Sequence, residues 1–272
     1  MIDWHCHILP GLDDGPALLE ESLEMAAMLS AAGFTRIHCT PHCIRGYYDA
    51  DNGAVLHSVS TLQKYIVDRG IRLRLLPGRE YYLDEFFTAY LHDPIPLGET
   101  NLILIEIPDQ APHEFIKESC FRIVTAGYRP LIAHPERCAH FALPGEKPAG
   151  KWDAMLSLFS MRRDTVENGG DDRFSRSSAE SLLAYLRDIG CFFQGNAGSF
   201  RGLYGPRKKR YAERLARAGV YTHFGTDAHS AGHVRDLFAA LPEGEYGMPL
   251  TLSAMFGEDC PGSDRKTGTE YR

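Results

Sequence analysis

The sequence predicts an α/β barrel on three observations: seven short apolar runs, helix-patterned stretches between them, and a glycine closing each helix. The runs are Ile2–His7, Arg36–Pro41, Arg72–Leu76, Asn101–Ile107, Arg129–Ala133, Cys191–Gly195 and Tyr221–Gly225. Most are nearly continuous in apolar or β-branched residues, as strands covered on both faces are. The first helix, Glu20–Ala32, places Met25, Met28, Leu29 and Ala32 on one stripe and stops at Gly33. Ala54–Arg69 ends at Gly70, Pro112–Ala126 at Gly127, Ser178–Ile189 at Gly190, and Pro206–Ala218 at Gly219. Strand, helix, glycine and strand in repetition build βα units on a parallel sheet. An open doubly wound sheet gives the same alternation, so periodicity alone leaves closure undecided.

Two stretches interrupt the pattern. Residues 141–178 form a long polar insertion, with a helix candidate at Trp152–Met161 and a charged, Gly/Ser-rich remainder. Its root follows the fifth strand, so it either covers the active face or projects as a surface loop. Residues 257–272 are polar and read as a flexible tail. The expectation is one domain over residues 1–256.

Composition narrows the function. The chain has 272 residues, 44% hydrophobic, enough for one barrel with a full core. Lys and Arg total 29 against 36 Asp and Glu, a net charge of −7, which argues against a nucleic-acid binder. The seven cysteines are odd in number and follow no disulfide or zinc-ribbon spacing. The opening MIDWHCHILPGLDDG is not a secretory leader, and no apolar run reaches the ~18 residues of a membrane span. A reduced cytoplasmic protein without membrane insertion is expected.

The chemistry lies at the strand ends. His5 and His7 end the first strand, His42 the second and His134 the fifth; Glu80 follows the third, Glu106 lies near the end of the fourth, and Asp227 and His229 follow the seventh. In a barrel, the carboxyl ends of the strands form the one face where active sites are built. Alternation puts His5 and His7 on one face and Cys6 on the other. Glu106 is the hardest to explain as filler, because a buried carboxylate costs several kcal/mol unless paired, protonated or metal-bound. Imidazole and carboxylate donors suit manganese, iron or zinc, and the absence of thiolates argues against a structural zinc site. So many ligands exceed the needs of one ion; two or three ions sharing a carboxylate fit better.

The order of motifs resembles the polymerase-and-histidinol-phosphatase (PHP) superfamily. More closely, HCHILPGLDDGP followed by EESLEMA, then TPH, PGRE, ILIEIP, AHPER, NAGS and TDAHS, resembles the PHP-type protein-tyrosine phosphatases of bacterial capsule and exopolysaccharide synthesis. The resemblance spans residues 1–240 and implies a distorted (β/α)7 barrel with three divalent ions, most simply manganese, with iron or zinc as alternatives. It places His5, His7, Glu80 and Asp227 on one ion. Glu80, Glu106 and His134 would hold a second, and Asp14, His42 and His229 a third, with Asp13 as the alternative to Asp14. Arg137 of HPER matches an arginine that binds substrate phosphate, and Arg235 is a second, weaker candidate. The implied activity is hydrolysis of phosphotyrosine on a protein, with the tyrosine-rich tail of a bacterial tyrosine kinase as partner. Other PHP phosphoesterases, such as histidinol-phosphate phosphatases or nucleases, share these ligands; a non-catalytic regulatory domain is a further reading.

One rival mechanism is written in the sequence. Cys39 to Arg45 has the C-x5-R spacing of cysteine-dependent phosphatases. That chemistry needs a thiolate in a loop of phosphate-facing N–H groups. Here Cys39 lies in an apolar strand and Pro41 lacks an N–H, so the metal-dependent reading is preferred.

Overall fold

The computed structural model describes residues 1–141, 182–239 and 255–257. The insertion, apart from Phe141, and the tail beyond Gly257 lie outside the described residues, as does the helix at Trp152–Met161.

Among the described residues there are nine strands, one on each of the seven runs and two more beyond the ends of the second and third. They are β1 Ile2–Cys6, β2 Arg36–Cys39, β3 His42–Cys43, β4 Arg74–Pro77, β5 Glu80–Tyr82, β6 Leu102–Glu106, β7 Arg129–Ala133, β8 Phe192–Asn196 and β9 His223–Gly225. The second and third runs each continue into one of these. β2 and β3 flank Pro41, which has no N–H to give a ladder. β4 and β5 flank Gly78, where an added Cβ would stand 2.6 Å from Leu97 Cδ2 and displace that side chain. The third run therefore begins two residues later than its apolar pattern suggests and continues into β5, which that pattern does not reveal.

All pairings are parallel, in the orders β1-β2-β4 and β3-β5-β6-β7-β8-β9. The seam back to β1 is closed by backbone bonds. Asp227 N–H donates to His5 O at 2.7 Å and His7 N–H to Ala228 O at 3.0 Å. The result is a ring of seven staves, distorted where the second and third divide.

Helices cover the outside. They are α1 Leu19–Ala31, α2 Asn52–Asp68, the short α3 Phe87–Tyr90, α4 His113–Thr125, α5 over residues 182–188, the short α6 Ala197–Arg201, α7 Gly205–Arg217 and α8 Ala231–Phe238. The expected stops at Gly33, Gly70, Gly127, Gly190 and Gly219 all take positive φ, which ends a helix at no steric cost to glycine. Leu23, Met25, Ala26 and Leu29 of α1 pack with Val55, Val59, Leu62 and Ile66 of α2.

Inside the ring, Ile2 and Trp4 join Leu102, Leu104, Leu131 and Ala133 in an apolar plug. A register shift then intervenes in β1 between Asp3 and Cys6. Beyond it the phase reverses: Cys6 packs outward in the cluster beneath α1, and His5 and His7 turn to the mouth. A bulge re-aims side chains in this way. The six described cysteines, Cys6, Cys39, Cys43, Cys120, Cys138 and Cys191, are free and buried. Among the described residues, no helix is long and apolar enough to cross a membrane.

Candidate metal centre

The strand-end residues converge. His5 Nε2 and His7 Nε2 lie 3.0 Å apart. Glu80 Oε2 is 3.2 Å from the first and 3.3 Å from the second, and Asp227 Oδ1 is 3.3 Å from both. Three hydrogen bonds give three of these rings the same tautomer. His5 Nδ1–H donates to Gln194 Oε1 at 2.9 Å, because the Gln194 amide nitrogen already donates to Gly195 O. His7 Nδ1–H donates to Asp13 Oδ2 at 2.7 Å, and His229 Nδ1–H to Asp227 O at 2.8 Å. In each ring Nε2 is left as the free donor atom facing the cluster, the arrangement typical of histidines that hold metals.

Glu80 is fully buried, and its Oε2, though close to three imidazole nitrogens, receives no well-formed hydrogen bond. His42 Nδ1, 3.0 Å away, is also without one. Lone pairs facing one another at such distances repel unless a cation or protons lie between them. Ligand atoms ~2.1 Å from one ion would stand roughly 3.0–3.4 Å from each other, the spacing found here. The donor set fits divalent ions.

Three groups could each hold one. His5, His7 and Glu80 form the first, with Asp227 beside them. His42, Glu80 and Glu106 form the second. His7, Asp14, His42 and His229 form the third. The second group differs from the expected set, since His42 stands where His134 was anticipated. His134 Nε2 instead meets the other Glu80 oxygen, Oε1, at 3.1 Å. The two adjacent aspartates divide their tasks. Asp13 is committed, with Oδ2 accepting from His7 and from the His42 N–H, and Oδ1 from the Gly15 N–H. Asp14 is half-exposed, and its Oδ1 lies 3.4 Å from His229 Nε2 and 3.6 Å from His42 Nε2.

Charge follows the same pattern. Burial opposes ionisation of Glu80, but the imidazoles of His5 and His42 hold its carboxyl well below the usual range. Burial likewise opposes a charge on His5, yet Glu80 and Asp227 push its pKa up to about 9. Asp13 is held at about 2 by His7 against its burial. Glu106 goes the other way: burial and then the Glu80 charge push it up to about 7. Among the described residues, two non-glycine residues adopt positive φ, and both are at this site: His134 at 31° and Asp227 at 52°. Such backbone costs about 1–3 kcal/mol and clusters at functional sites.

Arg137 completes one side. Its Nη1 donates to Asp227 Oδ2 at 2.5 Å, and its guanidinium stacks 4.6 Å above the Tyr204 ring. With Glu106 and His134 it lines a cavity of about 290 Å3. Arg235 does not join this group, contrary to the expectation. Helix α8 carries it away from the mouth, and its exposed guanidinium stands 3.5 Å from Glu24 of α1. The cysteine mechanism finds no support: the Cys39 thiol is fully buried, burial pushes its pKa far up, and Arg45 lies over Phe86.

Sequence reasoning missed the supports. Gln194 Oε1 accepts from both His5 Nδ1–H and the His134 N–H. Asn196 donates to Asp227 Oδ2 at 2.8 Å, and Glu136 accepts from the Asn196 N–H and the Tyr221 hydroxyl. Asn196 and Glu136 lay in motifs already recognised, NAGS and HPER, which was the available signal. Of the remaining histidines, His38 and His223 flank Trp4 in the barrel, and His57, His92, His113, His140 and His233 join none of the three groups.

Comparison with known proteins agrees with this picture. The family model described as capsular polysaccharide synthesis, CpsB/CapC, matches residues 1–146. Tyrosine-protein phosphatase YwqE of Bacillus subtilis (strain 168) is 30% identical over 256 residues, 92% of this chain and 87% of its own. Putative tyrosine-protein phosphatase CapC of Staphylococcus aureus is 30% identical over 139 residues, 50% of this chain and 54% of that one. A solved structure described under YwqE from Bacillus subtilis and CpsB from Streptococcus pneumoniae, "unique metal-dependent tyrosine phosphatases", superposes with a TM-score of 0.67. It is 29% identical and covers 87% of this chain and 84% of its own. A putative histidinol phosphatase from Listeria monocytogenes, 11% identical, superposes at 0.50 over 86% of this chain and 97% of its own, a likeness of fold. The barrel, its mouth and these matches together make the chain a member of the CpsB/CapC family of capsular polysaccharide synthesis.

Proposed function

We propose that this chain is a metal-dependent protein-tyrosine phosphatase acting on phosphotyrosine of a protein partner, a tyrosine kinase that regulates capsule or exopolysaccharide assembly. The observation that carries the reading is the buried Glu80 oxygen, ringed by imidazoles and lacking a hydrogen bond, beside an arginine-lined cavity. The relatives named as tyrosine phosphatases support it.

In this proposal His5, His7, Glu80 and Asp227 hold one ion, Glu80, Glu106 and His42 or His134 a second, and Asp14, His42 and His229 a third. The mixed nitrogen and oxygen donors favour manganese, with iron or zinc as alternatives. Divalent ions there would supply Lewis acidity, activating water and neutralising phosphoryl charge. The chain's own residues do the rest. Asp13, Gln194 and the Asp227 carbonyl fix imidazole orientation, so no reorganisation is needed when substrate arrives. Arg137, held by Asp227 and Tyr204, presents a planar fork suited to phosphate oxygens. A phenolate leaves readily, with a pKa of ~10, so the site needs less acid assistance than for an alkyl ester. Six buried free thiols among the described residues support a reducing, cytoplasmic location.

The test pairs elemental analysis of purified protein with rates on phosphotyrosine peptide, histidinol phosphate and a short oligonucleotide under manganese. Preference for the peptide, loss on chelation and survival in Cys39→Ser are expected. Activity unaffected by chelation, or greatest on histidinol phosphate, overturns the proposal.

A further inference from the structure

A second hollow of about 440 Å3 adjoins the arginine-lined cavity, and the two share Tyr82, Pro108 and Gln110. Their chemistry differs. The smaller cavity holds Glu106, His134 and Arg137. The larger has none of these, and its wall is Leu83, Ala111, Pro112 and Phe115, with Asp84 and Glu85 beside them. At the boundary Gln110 Nε2 donates to the Tyr82 hydroxyl at 3.4 Å, linking β5 to the loop after β6.

Tyr82 and Pro108 line the same cavity as Arg137 and would offer an apolar surface to the ring of a phosphate ester seated there. The substrate backbone then leaves across the shared boundary, and the neighbouring side chain meets the apolar wall. We propose, resting on the phosphatase reading above, that the larger hollow is a specificity subsite for the residue flanking phosphotyrosine. It accepts a large apolar side chain, and Asp84 and Glu85 favour Lys or Arg one position further out. Continuity with the cavity at Arg137 argues for this occupant, and so does the change from polar to apolar lining. The acidic pair gives charge complementarity, mainly in encounter rate, as rim charges do.

Phosphotyrosine peptides with Leu, Gly or Asp at each neighbouring position test this, with free phosphotyrosine as reference and manganese present. Leu should exceed Gly about tenfold in kcat/KM on one side of the phosphotyrosine, the scale of discrimination by an apolar pocket. Phe115→Ser should cut the Leu-to-Gly ratio at least fivefold. Glu85→Lys, at an exposed position that leaves the core untouched, should abolish a two- to threefold preference for Lys over Asp at the outer position. Equal rates for Leu and Gly peptides on both sides overturn this inference alone, as does a Leu preference unchanged in Phe115→Ser. Failure to hydrolyse even free phosphotyrosine overturns the proposed function along with it.

Discussion

Among the described residues Asp3 and Glu80 are carboxylates with no exposed surface, and they are satisfied in opposite ways. Asp3 sits within β1 and receives three hydrogen bonds: from the His5 N–H, the Thr226 N–H and the Thr226 hydroxyl. Glu80 sits at the mouth, with Oε2 bonded to nothing and imidazoles on three sides. Burial pushes Asp3 up to about 6 even with its donors, whereas His5 and His42 overcome burial and keep Glu80 ionised. A buried charge that holds chain together is closed by backbone and hydroxyl donors. The one proposed to take a cation is left open toward neighbouring imidazoles.

Substitutions should separate the two. Glu80→Gln is expected to lower kcat/KM roughly 10³-fold, the upper range for removing one preorganised charge-stabilising group. Elemental analysis should show ion content falling with it, while the melting temperature of the ion-free protein changes little. Full activity in this variant breaks the comparison. Asp3→Ala should do the reverse. Orphaning the Thr226 donors costs about 2–3 kcal/mol of stability, read by denaturant unfolding, with ion content retained. A smaller loss follows from the supports: Gln194→Ala should weaken metal affinity about 10- to 100-fold, since one amide oxygen orients His5 and anchors His134. Titration of the ion-free protein with manganese reads this directly, and unchanged affinity would make Gln194 incidental.

The smallest effect concerns a buried imidazole remote from the mouth. His38 stacks on Trp4 with ring centroids 4.4 Å apart, and its Nδ1 has no hydrogen-bond partner. Burial, reinforced by His223, pushes its pKa down to about 3. Its folded pKa is depressed, so the unfolded chain binds more protons below pH 6.5. Its contribution to stability is complete above that pH and is lost as pH falls toward 3. The slope is at most ~1.4 kcal/mol per pH unit. The His38→Gln protein should lose correspondingly less stability between pH 6.5 and 5.5, measured by urea unfolding without metal. A parallel decline in both proteins would show that His38 does not carry the dependence.

The strand ends were readable because each candidate ligand stands out against an apolar run: Glu106 after Leu102–Ile105, His134 after Leu131–Ala133. The βα alternation and its glycine stops were readable for the same local reasons. What escaped were relations between distant segments. Nothing near Gln194 in sequence says that its amide reaches residues 5 and 134. The bulge in β1 changes which residues face inward without altering composition. β5 escaped because Glu80-Tyr81-Tyr82 is too short and polar to read as a strand. Arg235 failed through helix phase, since α8 points it at Glu24 and not inward.

The seam of the ring joins residues 5–7 to residues 227 and 228, more than two hundred positions later. On the ribosome, β1 must therefore wait with one edge unpaired while nearly all the other staves are made. Its two histidines cannot meet Asp227 before β9 docks. Nascent chains halted before that point carry an open sheet edge and an unassembled candidate site, which makes late synthesis the stage most exposed to misassembly.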